Sequence, residues 1–446
     1  MSLIDKILSK YRVSETKIKV FRNLYWAVLG KVVTLLGSLF VGILVARYLG
    51  PEQYGLMSYV ISYVSLFQIF AMFGMTSIEI REMARDGADI NSILGTVFRI
   101  KLVLAIITVI LVIGTALIFE TDTFTILMIS LYSLSIILNR FTVIRSYFTS
   151  IVWNEYIVKT EISRTLFGAG IKIILLLVKA PLWCFILAMV FDVVILSLGY
   201  VYAYQIKIGS MSLWKYDWNL AKYLLKQSLP ILFSGAAVVV YQQIDQVMIG
   251  NMIDKESVGY FSVAAKFTEI IIFIPTILCQ TISPILVRLK DKSMEEYLKK
   301  SQIFINILVW STFIISSLVA LLSKWLIGFT FGSQYAEAVS VLQVLSFKAV
   351  AVALSVAAGN IIIIEKIQKY TVFRDVLGCV FCICLNLLLI PSLGVIGAAI
   401  VAILSNIVAG YVSDLLIPTY RHIFKMQTKA IFCGWLDLLK IKTILQ

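Results

Sequence analysis

Histidine and charged residues are scarce in this sequence of 446 residues, and each shortage excludes classes of protein. The one histidine, His422, lies near the C-terminus, so the rest of the chain can hold neither a histidine-rich metal site nor a Ser-His-Asp site. Only 14% of the residues are charged and 60% are hydrophobic, whereas soluble domains carry about 25% charged residues. This composition excludes a secreted protein, a nucleic-acid-binding module and a conventional cytosolic enzyme, and we expect no nucleic-acid partner.

Cysteine is also sparse, with six residues in the chain. Cys379-x-x-Cys382-x-Cys384 has a spacing that superficially indicates metal, but it lies in an apolar stretch without histidine. Small buried residues at a helix interface explain it better, because free cysteine behaves as a small hydrophobe. We therefore expect no metal site, no cofactor and no catalytic residue.

Apolar runs of about 20 residues, the length that crosses a bilayer as a helix, dominate the sequence. We predict twelve of them, at about 23–46, 55–79, 96–119, 124–148, 161–178, 182–204, 223–250, 258–287, 302–322, 336–364, 371–390 and 394–420. The predicted class is an all-α polytopic membrane protein.

The distribution of lysine and arginine sets the orientation of these helices. Of the 39 basic residues, 31 fall in the two tails, the even-numbered connections and the helix ends that flank those connections, and only four fall in the odd-numbered connections. Basic residues concentrate in cytoplasmic segments, so both termini are predicted to be cytoplasmic. The same bias explains the net charge of +14 without any nucleic acid.

Two copies of one segment lie six predicted helices apart. At a constant offset of 204 residues, Glu52 matches Glu256, Gly55 matches Gly259 and Ser58 matches Ser262. An even number of helices separates the copies, so they share one orientation and form a parallel repeat. Transporters often use such halves, with the substrate site between them near the midplane.

The repeat and the charge pattern divide the chain into five predicted regions. They are a cytoplasmic amphipathic N-tail (1–22), an N-lobe of helices 1–6 (23–205), a basic cytoplasmic linker (206–222), a C-lobe of helices 7–12 (223–420) and a cytoplasmic amphipathic C-tail (421–446). Apolar residues at helical spacing between basic ones predict that both tails lie in the membrane interface.

The first external loop carries a recognisable signature. Ala46-Arg47-Tyr48-Leu49-Gly50-Pro51-Glu52-Gln53-Tyr54-Gly55 resembles the first loop of the Wzx-type polysaccharide flippases for O-antigen and capsule repeat units. These belong to the multidrug/oligosaccharidyl-lipid/polysaccharide (MOP) exporter superfamily. The resemblance implies a MATE-like, V-shaped chain with two six-helix lobes and alternating access.

The same resemblance implies a substrate and a location. The substrate is an oligosaccharide on undecaprenyl pyrophosphate, which is turned from the cytoplasmic leaflet of the plasma membrane to the outer one. The implied setting is a Gram-negative inner membrane and lipopolysaccharide biosynthesis for O-antigen, although capsule export also fits a Gram-positive cell. Polysaccharide polymerase and chain-length machinery are the implied protein partners.

Ionisable residues inside the predicted spans are costly in the bilayer, at about 2.5–3.5 kcal/mol each, so each needs a partner or a function. We predict that Lys31, Lys266 and Lys348 hold the substrate pyrophosphate as point charges, although packing against a neighbouring acid explains each lysine as well. Lys266 and Glu269 lie three apart on one helix and can pair. Lys172 and Asp192, on neighbouring helices, are predicted to neutralise each other.

A second polar face is predicted on the seventh helix. Gln242 and Asp245 lie three apart, so their shared face is suited to binding sugar hydroxyls, a proton or a cation. A hydrogen-bond clamp between helices is the alternative. Asp245 and Glu269 are the candidates for ion coupling or for a switch.

The loop signature itself has a structural interpretation. Gly50 and Pro51 predict a turn, Gly55 and Gly259 permit close helix entry, and Glu52, Glu256 and Arg47 border the same junctions. Gly394 and Gly397 likewise indicate a helix start with tight packing.

Two other functions compete with the flippase. A multidrug exporter for cations calls for acids in the N-terminal half, where Asp192 is the only one in mid-span. A membrane glycan polymerase or ligase usually carries a large external loop, and the predicted external connections are short.

Overall fold

The computed structural model describes the main chain of residues 15–440 and, except for Leu35, the side chains of residues 33–437. All regular elements in this part of the chain are helical. Helices suit a membrane because they satisfy their own main-chain hydrogen bonds where water is absent. The predicted all-α class is confirmed. The side chain of Lys31 and those of the predicted N-tail lie outside the described residues.

The described α-helices are numbered in chain order. They are α1 (Glu15–Met72), α2 (Thr76–Met83), α3 (Ile90–Phe119), α4 (Thr123–Leu138), α5 (Thr142–Ser150), α6 (Asn154–Leu177), α7 (Leu182–Lys207), α8 (Trp218–Met252), α9 (Lys255–Lys292), α10 (Met294–Thr330), α11 (Ala338–Leu345), α12 (Lys348–Ile364), α13 (Thr371–Ile407), α14 (Ser413–Leu416) and α15 (Arg421–Cys433). A π-helix, Val408–Val412, joins α13 to α14, and a 3₁₀ turn, Gly434–Lys440, follows α15.

Within the described residues, nine helical stretches are long and apolar enough to cross a membrane. Two of them, Leu36–Met83 and Gln368–Leu416, have 48 and 49 residues, about twice the length of one span. Each contains a break at a glycine with positive φ, Gly50 (φ 74°) and Gly394 (φ 62°), where only glycine is free of steric strain. The count of twelve spans stays a prediction, since α6, the predicted fifth span, is not among the nine stretches.

Three predicted helices are interrupted in the structure. The predicted helix 55–79 ends at Met72 and resumes as α2 after Gly74, whose φ is 64°. The predicted helix 124–148 contains a 3₁₀ turn at Asn139–Phe141, and the predicted helix 336–364 is divided into α11 and α12. At the last break the carbonyl oxygen of Ser346 accepts from the Ala349 amide at 3.2 Å and also from the Ser316 hydroxyl of α10 at 2.9 Å.

Packing divides the chain into two units. Unit 1 comprises the described residues up to Tyr48 together with Phe67–Leu232, and unit 2 comprises Leu49–Leu66 together with the chain from Phe233 onward. The segment Leu49–Leu66 thus packs with the second unit, although the prediction placed it in the N-lobe. Apolar periodicity cannot predict the unit with which this segment packs, because it indicates which face of a helix is buried and not which partner buries it.

The predicted amphipathic C-tail forms a helix that is firmly attached to unit 2. In α15 the Gln427 amide nitrogen donates to the carbonyl oxygen of Gly410 at 2.7 Å, and the Trp310 indole of α10 donates to that of Ala430 at 2.9 Å. Beyond this contact, Phe432 and Trp435 are 72% and 54% exposed. An apolar exposed end beside a basic helix is typical of a segment in the membrane interface.

The ion pair between α15 and the end of α12 depends on pH. His422 Nε2 lies 2.8 Å from Glu365 Oε2. Contact with Glu365 raises the pKa of His422 above its usual 6.5. Burial alone would raise the pKa of Glu365, but His422 outweighs it and holds that pKa below its usual 4.5. The pair therefore stabilises the fold most between about pH 4.5 and pH 6.5 and loses this contribution as the pH rises through the raised pKa of His422.

We expect the thermal unfolding midpoint to fall by about 1–3 °C as the pH rises from 6 to 8.5, because the pair is partly solvated and its worth is small. Asp414 and Lys290 also act electrostatically on this pair. The measurement is thermal unfolding of the purified protein against pH, with His422→Gln as the reference. An unchanged pH dependence in that variant would show that the pair contributes nothing.

Candidate functional site

A buried carboxylate in unit 2 is the centre of the candidate site. Asp245, on α8, is 1% exposed, and its Oδ1 accepts a hydrogen bond from Nδ2 of Asn386, on α13, at 2.7 Å. Cys382, one turn before Asn386, lies 3.5 Å from the same oxygen through its thiol. Tyr241 and Val401 pack around this group as an apolar layer. The site therefore joins α8 and α13 through a buried carboxylate.

Two oxygen atoms of this pair remain without a hydrogen bond from the described residues. They are Oδ2 of Asp245 and Oδ1 of Asn386, and both are buried. A buried acceptor that is left unsatisfied costs about 1–3 kcal/mol, and more when it is charged. A proton or a small hard cation, which prefers oxygen ligands, would satisfy a carboxylate and an amide oxygen that are held together in this way.

One of the predicted pyrophosphate-binding lysines interacts electrostatically with this carboxylate. Lys348, the first residue of α12, acts electrostatically on Asp245. No ion pair within 4 Å joins Lys348 to a described carboxylate. The structure thus brings Lys348 and Asp245 into one region while leaving the ammonium group open to another anion.

The structure does not bring Gln242 to this site. Gln242 is exposed whereas Asp245, three residues later, is buried, so the predicted shared face separates into two environments. The neighbouring amides make the contacts instead. Ser62 donates to Gln246 Oε1 at 3.0 Å and to Gln243 Oε1 at 3.1 Å. The prediction did not include these two glutamines, because it considered only the helix face three residues from Asp245.

Lys266 and Glu269, both predicted, share one face of α9. Their charged atoms Nζ and Oε2 lie 3.8 Å apart, and the side chains are 41% and 67% exposed. Such a loose, open ion pair contributes little to stability. Tyr54, which is buried on α1, interacts electrostatically with both charges. The pair can therefore open at low cost.

The two copies of the repeat signature pack directly against each other inside unit 2. A Cβ atom at Gly55 would lie 1.7 Å from the carbonyl oxygen of Lys255, and one at Gly259 would lie 2.2 Å from that of Pro51. Small residues at a helix crossing let two backbones approach closely. The glycines that mark the repeat are thus the two sides of one crossing.

The remaining signature residues border this crossing. Gly50 breaks the helix, and Glu52 and Arg47 are exposed. Glu256 accepts a hydrogen bond from the Tyr260 hydroxyl at 2.5 Å.

Two buried ion pairs were not predicted from the sequence. Their cations lie near the cytoplasmic ends of predicted helices, where basic residues were expected to be solvated. In unit 1, Lys101 Nζ lies 2.9 Å from Glu79 Oε1, and both side chains are at most 2% exposed. In unit 2, Arg374 Nε lies 3.5 Å from Asp414 Oδ1 beside the π-helix. Neither pair follows helical spacing, so only the tertiary structure reveals it.

The predicted neutralisation of Lys172 by Asp192 is confirmed, with Nζ and Oδ2 2.5 Å apart. Of the three cysteines predicted to be buried packing residues, Cys382 is completely buried and Cys379 is partly buried, whereas Cys384 is exposed and the prediction is wrong for it. No group of three or more potential metal-binding side chains occurs between residues 33 and 437.

Solved structures with the same fold include a lipid flippase and a multidrug transporter. The lipid II flippase MurJ in an inward closed conformation matches with a TM-score of 0.70 and 14% identity, covering 94% of this chain and 93% of that one. An inward-facing MATE multidrug resistance transporter of the MOP superfamily matches with a TM-score of 0.67 and 16% identity, covering 89% and 96%. The chain therefore has the expected MATE-like fold, and its apolar helical stretches make it a multi-pass membrane protein.

The chain belongs to the family described as "Polysaccharide biosynthesis protein", whose profile matches residues 20–281, more than half of its length. It is also 30% identical over 201 residues to the capsular polysaccharide biosynthesis protein CapF of Staphylococcus aureus. That alignment covers 44% of this chain and 50% of CapF, so it spans about half the length of this relative.

Proposed function

We propose that this protein translocates an undecaprenyl-pyrophosphate-linked oligosaccharide from the cytoplasmic to the outer leaflet of the plasma membrane by alternating access. The observation that carries the proposal is membership of the polysaccharide biosynthesis family in a chain with a transporter fold. The similarity to a capsular polysaccharide protein supports a capsule or O-antigen repeat unit as the cargo. In this role the chain is a carrier and not an enzyme, and both termini are cytoplasmic.

Lys266 and Lys348 are the groups that we assign to the pyrophosphate in unit 2. Phosphate oxygens form strong charge-assisted hydrogen bonds with ammonium groups. Lys348 has no described carboxylate within 4 Å, and Lys266 has only the open pair with Glu269 at 3.8 Å. A diphosphate is therefore able to displace Glu269 from Lys266 without breaking a buried ion pair. Lys31 keeps the same proposed role, which rests on its sequence position alone.

Asp245 and Asn386 are the groups that we assign to ion coupling. Their two unsatisfied oxygens support a site that takes up a proton or a cation during the cycle. An intramembrane acid is expensive to retain without such a function. Lys348 links this site to the proposed phosphate site through its electrostatic effect on Asp245.

The proposed phosphate site predicts a loss of export in lysine variants. We expect Lys266→Ala and Lys348→Ala each to reduce surface glycan by about 10-fold or more, because each removes a charge-assisted contact to the substrate. The measurement is complementation of a flippase-deleted strain that is supplied with the cognate glycan pathway. Lys324→Ala is the matched control, since Lys324 is an exposed lysine of α10 that is not assigned to the substrate.

Three results would contradict the assignment. Full surface glycan in both well-expressed lysine variants would exclude their role in phosphate binding. An equal loss in Lys324→Ala would indicate a general effect of removing charge. Failure of the wild type with its own pathway would favour a multidrug exporter or a glycan polymerase.

A further inference from the structure

A cleft on unit 2, lined by both apolar and charged residues, lies outside the site described above. It has a volume of about 520 Å³ and lies between the first turns of α10 and the C-terminal helix α15. Its lining residues are Leu298, Lys299, Gln302, Ile303, His422, Met426, Lys429 and Asp437. The Gln302 amide nitrogen donates to the carbonyl oxygen of Met426 at 2.9 Å, so the two walls are fixed to each other and the cleft is preformed.

The charge of the cleft favours an anion. Lys299 and Lys429 are exposed, and neither forms an ion pair with a described residue. The one acid in the lining, Asp437, accepts a hydrogen bond from Nδ2 of Asn306 at 2.7 Å. His422 is balanced by Glu365 at 2.8 Å. Asp437 keeps its negative charge, because a hydrogen bond from an amide does not neutralise a carboxylate. The two lysines therefore leave the lining with one net positive charge.

The depth of the cleft along α10 matches the headgroup region of a bilayer. α10 has 37 residues, which makes it about 55 Å long, whereas the hydrocarbon core is about 30 Å thick. Several turns of α10 must therefore extend beyond the core, and Lys299 lies in the charged second turn. Phe432, Trp435 and Leu436, which precede the lining residue Asp437 in the chain, have exposed side chains, and aromatic residues of this kind anchor at the interface.

We propose that this cleft binds the phosphate of an anionic glycerophospholipid through Lys299 and Lys429, and that the bound lipid holds α15 against α10 at the membrane surface. Basic pockets between membrane helices are suited to anionic headgroups. The exposed Leu298 and the apolar residues at the end of α15 offer a surface for the start of the acyl chains. This site is separate from the proposed translocation pathway and does not depend on it.

The experiment uses the full-length protein in detergent with added phosphatidylglycerol or phosphatidylcholine, and measures bound lipid by native mass spectrometry and the thermal midpoint. We expect phosphatidylglycerol to bind and to raise the midpoint, and K299A/K429A to weaken its binding by about 10–30-fold. The matched control is K292A/K425A, which removes the same charge from two exposed lysines outside the cleft and should retain binding. The pair K299Q/K429Q, which keeps much of the aliphatic stem, replaces the alanine pair if that variant is unstable.

Three outcomes would overturn the proposal. An equal effect of both lipids would exclude recognition of the headgroup charge. An equal loss in both double variants would mean that binding follows net charge and not the cleft. The same gain in thermal midpoint with inorganic phosphate at equal concentration would assign the cleft to a soluble anion.

Discussion

Replacement of Asp245 by asparagine is expected to reduce glycan translocation by about 100-fold or more while leaving the protein folded and at least as stable. Asparagine keeps the shape of the side chain and an oxygen that can accept from Asn386, but it removes the charge that attracts a proton or cation. A buried carboxylate with an unsatisfied oxygen lowers the free energy of unfolding. Replacing it by a neutral amide removes this penalty, so the variant should be at least as stable. The measurements are surface glycan in the complementation assay and the thermal midpoint of the purified variant.

The stability measurement separates a coupling site from a structural clamp. If Asp245 served only to hold α8 against α13, its neutralisation would lower the thermal midpoint, and the loss of export would follow from misfolding. Asp291→Asn is the matched control, because it removes the same charge from an exposed carboxylate outside the site and should retain export. Normal export by Asp245→Asn would exclude the ion-coupling role.

Replacement of Gly259 by alanine is expected to destabilise unit 2 by about 3 kcal/mol or more and to reduce the yield of folded protein severely. The new methyl group would lie 2.2 Å from the carbonyl oxygen of Pro51, and backbone cannot move aside as a flexible side chain can. In an open helix the same change is favourable, by up to about 1 kcal/mol. The measurement is the fraction of monodisperse protein in gel filtration together with its thermal midpoint.

Gly359→Ala is the control for this prediction. Gly359 lies in α12 of the same unit, and a Cβ atom there would meet nothing within 4 Å, so we expect no loss. Gly55→Ala should resemble Gly259→Ala because both glycines belong to one crossing. The double variant should then cost less than the sum of the two single variants, since the crossing is already forced apart. Additive losses would contradict a shared contact.

Several features of the fold could be predicted because they depend on sums over neighbouring residues. Hydropathy over about 20 residues identifies a span whatever its partner is, and the helical class, the apolar stretches and the break at Gly394 all follow from such local patterns. Where a helix is interrupted by packing, as between α11 and α12, the local pattern gave one continuous helix. Ser316, 30 residues earlier, donates to the carbonyl of Ser346 at this break, and no local window includes that contact.

The candidate site was predictable only within single helices. The spacing of Lys266 and Glu269 correctly placed them on one face, because three residues make most of a helical turn. The same rule placed Gln242 beside Asp245, but packing buried one and exposed the other. Asn386 lies 141 residues from Asp245, and the sequence offered no signal that joins them.

Composition, the length of the apolar stretches and the loop signature can all be read without knowing how the helices pack. They are sufficient to identify an all-α membrane protein of a polysaccharide biosynthesis family. The tertiary structure decided which charges are buried in pairs, as Lys101 is with Glu79, and which oxygens of Asp245 and Asn386 remain open. It also decided that Gly55 meets Gly259. The physical reason is that burial and pairing are properties of two helices in contact, and the bilayer, which selects each helix for its apolar surface, does not specify which helices meet.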